Sequence, residues 1–417
     1  MNTVLEALVY LSALLSLVPF VRTEDRALAT LFWFPRLLAG ALSPVLGLTG
    51  ATGAVVGLLR RDWKLAAAGT LGAVLSARYL RDIPAPCGEL DSALGPAGPA
   101  QPPLPATAHG DVRFQRDLVY GRNPESGKPL LADLWQPPDG APRSGLGILY
   151  VHGGAWRIGS KDMQTRTFFR RLTAQGHVIL DIAYTLWPEA GLHTMVVEVK
   201  QAILWLKANA AAYGVDPERI VLMGGSAGAH LALLAAYTPN HPAFQPARKA
   251  GDTAVHSVVA FYPPVDFLDT SFQGGQDAPA AHGGLDRVGR GMMKRLFSLD
   301  AEDVEDKVGR HVGFDDFMTA LLGGSPDEIP DTYRLLSPIY HVGDHCPPTL
   351  LVHGSDDVFG LTPGVHRLHR ALQEVDVPVV LVEFPHTDHG FDLILPQISP
   401  VAMAATRDVI RFLARLV

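Results

Sequence analysis

Apolar residues run from Val4 to Val21 with only Glu6 to break them, and again from Leu37 to Leu59 for about 23 residues without a charge. Runs of this length cross a bilayer as helices. A third run, Leu65 to Leu80, is shorter and contains Arg78. No basic residue precedes the first run and no small-residue cleavage site follows it, so a retained membrane anchor of two or three helices over residues 1–82 is expected, not a removable signal peptide. Gly53 and Gly57, four apart, would let helices approach closely inside that anchor.

From Ile83 to Gly110 the pattern gives way to Pro, Ala and Gly, with Pro84, Pro86, Pro96, Pro99, Pro102, Pro103 and Pro105. Proline fixes φ and removes a backbone donor, so residues 83–110 are expected to be an extended linker reaching up to roughly 85 Å. Beyond it, residues 111–417 alternate between strand and helix patterns. Val112–Val119 and Leu130–Trp135 read as a strand pair around Gly121-Arg122-Asn123-Pro124, and Gly147–Val151 as a short buried strand. A helix near Thr167–Gln175, a strand Val178–Ala183, a helix Met195–Tyr213 and an apolar strand from Ile220 follow. Such βαβ alternation predicts an α/β fold with a mainly parallel sheet covered by helices on both faces.

Charge adds two limits. The 417-residue chain carries a net charge of -7, which gives no basic footprint for nucleic acid. Near the apolar runs, three spans would put Arg22, Arg26, Arg36, Arg78 and Arg81 on the side of the carboxyl-terminal domain, against Arg60, Arg61 and Lys64. Two spans preserve the bias, and in both cases it directs the domain to the cytoplasmic side of a multi-pass protein. Cys87 and Cys346 stand far apart without ligand-like neighbours, which suggests neither a disulfide framework nor a zinc site.

The chemistry centres on Ile220-Val-Leu-Met-Gly-Gly-Ser-Ala-Gly-Ala-His230, an apolar strand that ends in Gly-x-Ser-x-Gly and leads into a helix. Ser226 on such a turn holds strained backbone with its hydroxyl exposed above the sheet. The earlier strand runs into His152-Gly153-Gly154-Ala155-Trp156, whose glycine N–H groups can reach a developing oxyanion. Gly153, Gly154 and Ala227 are the candidate donors. An acid and then a base should follow Ser226 in the chain. Thr349–Asp357 is a strand running into a loop with two carboxylates, Asp356 and Asp357, and Leu381–Phe391 is another with two histidines, His386 and His389. His389, before Gly390-Phe391, is the expected base and Asp357 its orienting acid, with Asp356 the alternative.

Together these motifs resemble the α/β-hydrolases of the hormone-sensitive-lipase and carboxylesterase type. Tyr184-Thr-Leu-Trp-Pro-Glu189 resembles that family's Tyr-Arg-Leu-Ala-Pro-Glu segment, with Thr185 and Trp187 as departures. Leu222–His230 and Trp156 are also similar to the isoprenylcysteine methylesterase and kynurenine-formamidase-like branch, whose membrane-bound methylesterases suit an amino-terminal anchor. The family's acid lies four residues after the histidine of His-Gly-x-x-Asp, which lands on Asp357, and its base falls in His-Gly-Phe, on His389. The resemblance covers roughly residues 112–265 and 333–416.

Residues 268–330 interrupt the sheet pattern and are expected to form a cap. Phe314, Phe317, Met318, Leu321 and Leu322 share one helical face, Val288, Met292 and Leu296 make a weaker stripe, and Gly274-Gly275, Gly283-Gly284, Gly289 and Gly291 would permit movement. A metal site from His386, Asp388 and His389 with His341 and His345 is the weaker account, because the spacing fits no ligand motif. The sequence therefore points to a membrane-anchored serine hydrolase acting on a small-molecule or lipid-like carboxylic ester without cofactor or metal. An amidase or formamidase on the same residues, or a hydrolase fold used only for binding, are the alternatives.

Overall fold

The computed structural model describes residues 2–23, 26–85, 89–95, 112–247, 251–269 and 314–417. Two compact units emerge. One comprises Met1–Cys87 with His353–Thr362 and Val382–Asp408; the other comprises Gly88–Val352 with Pro363–Leu381 and Val409–Val417.

In the first unit, α1 (Asn2–Leu17), α2 (Arg26–Ala41), α3 (Ser43–Arg60) and α4 (Trp63–Asp82) account for nearly all of the first 82 residues. The uncharged run Leu37–Leu59 is not the single straight helix its composition suggests. It breaks at Leu42, and the two pieces meet at a bend of 74°. The reason is Pro44, which has no N–H to give an upstream carbonyl and so favours the first turn of a new helix. Among the described residues, Thr3–Phe20 is long and apolar enough to cross a membrane by itself, whereas Leu28–Ala41 and Ser43–Arg60 qualify only together, across the bend.

Small residues let these helices touch. A Cβ added at Gly50 of α3 would lie 2.6 Å from the Ala73 nitrogen of α4, and one at Gly53 would meet the Val9 side chain of α1 at 2.5 Å. Hydroxyls bind across the same contacts, with Ser12 Oγ donating to the Leu46 carbonyl at 2.7 Å and Ser16 Oγ lying 3.0 Å from Ser76 Oγ. Gly57 is likewise pressed on Ala66, so the Gly53/Gly57 pair serves close packing as its spacing suggests.

The second unit begins with α5 (Glu89–Leu94), a short helix inside the proline-rich stretch with Leu90 fully buried. The stretch is therefore not extended throughout, because no proline interrupts the residues between Pro86 and Pro96. β1 (Arg113–Arg122), β2 (Pro129–Gln136), β3 (Gly147–Val151), α6 (Arg166–Thr173), β4 (Val178–Ile182), α7 (Leu192–Tyr213), β5 (Ile220–Gly225), α8 (Ala227–Tyr237) and β6 (Ser257–Phe261) follow. After the undescribed residues come α9 (Phe314–Leu322), α10 (Pro330–Leu335), β7 (Thr349–Gly354), α11 (Thr362–Glu374), β8 (Val379–Phe384) and α12 (Pro400–Leu413).

The eight strands form one sheet in the order β1-β2-β4-β3-β5-β6-β7-β8, with β1–β2 and β2–β4 antiparallel and the pairs from β4 to β7 parallel. Every residue of β3, β4, β5 and β6 is buried, as strands covered on both faces require. From β3 the chain goes to β4 on one side and later to β5 on the other. That reversal makes the carboxyl ends of β3 and β5 a topological switch point, where open α/β sheets bind ligands.

Of the expected cap, α9 is described, with Phe317, Met318, Leu321 and Leu322 buried. Phe317 meets Trp187 edge-on at 5.4 Å and lies under the Arg157 guanidinium. The Val288, Met292 and Leu296 stripe and the glycines from Gly274 to Gly291 lie outside the described residues.

Candidate active site

Ser226 joins β5 to α8 with φ 55° and ψ -123°, a backbone region costly for any residue with a Cβ. The turn is held on both sides. The Ser226 N–H donates to the Phe261 carbonyl of β6 at 2.9 Å, and the Ser226 carbonyl accepts from His230 N–H at 3.0 Å. Glycine is required around it: a Cβ at Gly224 would come within 2.6 Å of the Gly228 carbonyl carbon, and one at Gly228 within 2.5 Å of the His152 carbonyl oxygen. Strand, helix and the loop after β3 thus converge where side chains are missing.

That loop carries His152-Gly153-Gly154. A Cβ at Gly153 would sit 2.8 Å from the Gly225 oxygen and 3.4 Å from Ser226 Cβ, so the Gly153 backbone passes directly against the serine. Gly154 has φ 115° and accepts from the Arg157 and Ile158 N–H groups at 3.1 and 3.0 Å, closing a tight turn. Ala227 opens α8, where the first helical N–H groups have no intrahelical acceptor.

Three residues without an assigned role in the sequence brace this loop. The Tyr184 ring stacks on the His152 ring at 4.4 Å and 15°, and its hydroxyl donates to the His152 carbonyl at 3.1 Å. His152 Nδ1–H turns back to the Gly153 carbonyl at 2.7 Å; burial pushes the imidazole down to about 4, only partly offset by that hydrogen bond. Trp156 Nε1–H donates to His230 Nδ1 at 3.3 Å. His230 Nε2 must then carry the proton that reaches the Leu336 carbonyl at 2.7 Å. Tyr184, Trp156 and His230 all fall within motifs legible in the sequence, and what the sequence lacks is their pairing.

The candidate acid and base, Asp357 and His389, stand in the other unit. β7 ends at Gly354, where a Cβ would meet the Thr387 oxygen at 2.5 Å, so the loops after β7 and β8 lie side by side. Ser355 N–H donates to Phe384 O and Asp356 N–H to Thr387 O, each at 3.0 Å. His389 Nδ1 lies 2.8 Å from Asp357 Oδ2, while Asp357 Oδ1 accepts the Phe359 N–H at 2.9 Å. Burial would raise the Asp357 carboxyl, yet the His389 imidazole and its hydrogen bond, with His353 and the Phe359 N–H, outweigh it and hold the group below its usual range. Asp356 has a different environment: its carboxylate accepts from Ser355 Oγ at 3.3 Å.

Asp388, a ligand-type residue in the weaker metal account, is a junction between loops. Its Oδ1 accepts both the Val358 and the His389 N–H at 2.8 Å, and its Oδ2 pairs with the Arg36 guanidinium at 2.5 Å. Burial pushes this carboxyl up to about 6 against the opposing pull of Arg36. The other residues of the metal account are engaged elsewhere, with His341 Nε2 on the Leu335 carbonyl at 2.8 Å and His345 Nε2 on the Tyr237 carbonyl at 2.9 Å.

A mainly parallel sheet, a serine on a strained strand-to-helix elbow, a glycine loop at the end of the neighbouring strand and an Asp–His pair after later strands define an α/β-hydrolase fold. The BD-FAE family matches residues 133–287, and the prolyl oligopeptidase family residues 312–409. The probable carboxylic ester hydrolase LipM of Mycobacterium tuberculosis is 30% identical over 354 residues, an alignment covering 80% of this chain and 73% of LipM. Esterase LipQ of the same organism is 30% identical over 294 residues, covering 70% of this chain and 61% of LipQ. The chain belongs to the α/β-hydrolase esterases, the carboxylic ester hydrolase family of these proteins. In fold it is similar to the butyrate-bound esterase 2 of Thermogutta terrifontis, at 22% identity and a TM-score of 0.50, covering 74% of this chain and 95% of that one.

Proposed function

We propose that this protein hydrolyses carboxylic esters at a membrane through an acyl-enzyme on Ser226. The observation that carries the reading is the strained Ser226 elbow with the Gly153 backbone pressed against it. Ser226 Oγ attacks the ester carbonyl while His389 Nε2 takes its proton. Asp357 holds the imidazole by Nδ1 and stabilises the imidazolium that forms. The negative charge on the carbonyl oxygen is received by the N–H groups of Gly153, Gly154 and Ala227. The imidazolium protonates the leaving alcohol. Water, deprotonated by His389, then releases the carboxylic acid and restores Ser226.

The membrane part of the proposal rests on the outward faces of the amino-terminal helices, where Leu8, Leu11, Leu14, Leu48, Val55 and Leu59 are exposed. Large apolar side chains left exposed in this number suit lipid better than water. Leaving aside the buried Arg36, the remaining Arg22, Arg26, Arg78 and Arg81 against Arg60, Arg61 and Lys64 support a hydrolase segment on the cytoplasmic side for three spans.

The test is fluorophosphonate labelling of wild type and Ser226→Ala, with hydrolysis of p-nitrophenyl esters from acetate to palmitate. Adduct and turnover in wild type, with kcat reduced on the order of 10⁴ to 10⁶ in the variant, is the expected result. Folded wild type that neither labels nor turns over would sink the esterase assignment. Carbonate extraction and protease protection of membranes test the anchor and its side, and release into the supernatant would refute the anchor.

A further inference from the structure

Two residues of α2, one helical turn apart, hold the backbone of the proposed base from both sides. Trp33 Nε1–H donates to the His389 carbonyl at 2.8 Å. Arg36 pairs with Asp388, whose other oxygen accepts the His389 N–H. The Arg36–Asp388 pair is almost entirely withdrawn from solvent, at 4% and 0% exposure. The guanidinium also donates to the Asp356 carbonyl at 3.3 Å and, through Nη2, to the Val21 carbonyl at 2.9 Å. One side chain therefore ties together the acid loop, the base loop and the chain leading into α2. Trp33 further packs edge-on against Phe359, which in turn meets the His389 ring edge-on at 4.7 Å.

An ion pair buried to this degree carries a desolvation cost, and a well-packed apolar pair could hold two segments together without it. What the ionic pair adds is direction. A planar guanidinium fixes the Asp388 carboxylate, and that carboxylate fixes two N–H groups, one at Val358 beside Asp357 and one at His389. We infer that Arg36 and Trp33 are positioning residues for acyl transfer, so that the amino-terminal helices are part of the hydrolytic apparatus as well as an anchor. The inference rests on the reading of His389 as the base.

The consequences are specific. Losing the Arg36 charge should misplace the imidazole without touching Ser226 or the glycine loop, so kcat falls while KM stays. It should also leave the Asp388 carboxylate without its cation. The groups that act on Asp388 are Arg36 from α2, Asp357 from the β7 loop and the N–H groups of His389 and Val358. Of these Arg36 is the one cation, so without it Asp388 takes up a proton at higher pH. An acidic limb of the rate profile governed by Asp388 would then move upward.

The experiment uses the full chain in detergent or vesicles, comparing wild type, Arg36→Met, Arg36→Lys, Asp388→Asn, the Arg36→Met/Asp388→Asn pair and Trp33→Phe. Thermal midpoints and ester kinetics from pH 5 to 9 are read together. Expected are a kcat loss of roughly 10- to 100-fold in Arg36→Met with KM within about threefold, partial rescue by lysine, and an acidic limb shifted upward. The double variant should lose no more than the worse single one, because both break the same link. Trp33→Phe should lose less. Folded Arg36→Met with wild-type kcat and an unmoved limb would overturn the inference while leaving the esterase reading intact. A loss expressed in KM alone would overturn it too. Absence of turnover in wild type would instead bring down the esterase reading, and this inference with it.

Discussion

Trp156 donates its indole N–H to His230 Nδ1 at 3.3 Å, locking the end of the glycine loop to the helix that follows Ser226. The bond needs a neutral imidazole with a bare Nδ1, and burial enforces it by pushing His230 down to about 4. His152 and His177 are also buried and pushed down to about 4. In each case the folded value lies below the unfolded value near 6.5, so between roughly pH 6.5 and 4 the unfolded chain binds more protons and stability is lost as the pH falls. At pH 5 each histidine should cost on the order of 2 kcal/mol relative to pH 8. Denaturant unfolding across this range should register the loss. His230→Gln, which can still accept from Trp156 and donate to Leu336, should flatten the curve by one histidine's share, and an unchanged curve would contradict the assignment.

Asp357 and Asp356 are adjacent in sequence but not equivalent in chemistry. Asp357 Oδ2 meets His389 Nδ1 at 2.8 Å, whereas Asp356 accepts from Ser355 Oγ. Asp357→Asn should lower kcat by about 10³ to 10⁴, since an amide cannot stabilise the imidazolium and favours the wrong tautomer. Asp356→Asn should cost less than about fivefold, because Asn can still accept from Ser355 Oγ. The comparison is read in kcat at saturating ester, and a reversal of the two losses would move the acid to Asp356.

The strands around the site were legible because each is a short apolar run ending in glycine or a polar loop, and Gly147–Val151 falls where the pattern puts it. The elbow was legible because only small residues fit where β5, α8 and the loop after β3 converge. The α2–α3 break left a trace in Pro44, which a reading by hydropathy alone passes over. The links from α2 left none. Trp33 and His389 are separated by 356 residues, and Arg36 and Asp388 by 352, so no periodicity or spacing connects them. A lone Arg before an apolar run reads as a topology signal, and an Asp between two histidines reads as a ligand; both meanings change once the chain closes.

Tyr184 acts on the glycine loop through one hydroxyl. Its O–H binds the His152 carbonyl, the peptide whose N–H belongs to Gly153. Tyr184→Phe keeps the ring stacked on His152 but leaves that carbonyl without this donor. A stability loss of about 1–2 kcal/mol is expected from the unmet acceptor. If the Gly153 N–H serves the oxyanion, kcat should also fall by about tenfold, with KM little changed. Stability loss with full kcat would separate the bracing of the loop from catalysis.

Gly228 is crowded by backbone where α8 meets the end of β3. A Cβ there would overlap the Val151 carbonyl oxygen and come within 2.5 Å of the His152 oxygen, both of them backbone atoms that no rotamer change can remove. Val151 cannot retreat, because it is paired to Ile182 on one side and to Gly224 on the other. Gly228→Ala must therefore push α8 off the sheet or displace the loop after β3. Either movement disturbs the Ser226 backbone, whose carbonyl is already bound in the first turn of α8. The expected outcome is destabilisation of about 3 kcal/mol or more, well beyond the usual effect of adding one methyl group. Any folded fraction should label with fluorophosphonate at least tenfold more slowly than wild type. Ala229→Gly, one position along α8, removes a Cβ instead of adding one and should cost only about 1 kcal/mol. A Gly228→Ala variant as stable as wild type would mean that the meeting of β3 and α8 does not set the requirement for glycine, because helix propensity alone favours alanine there.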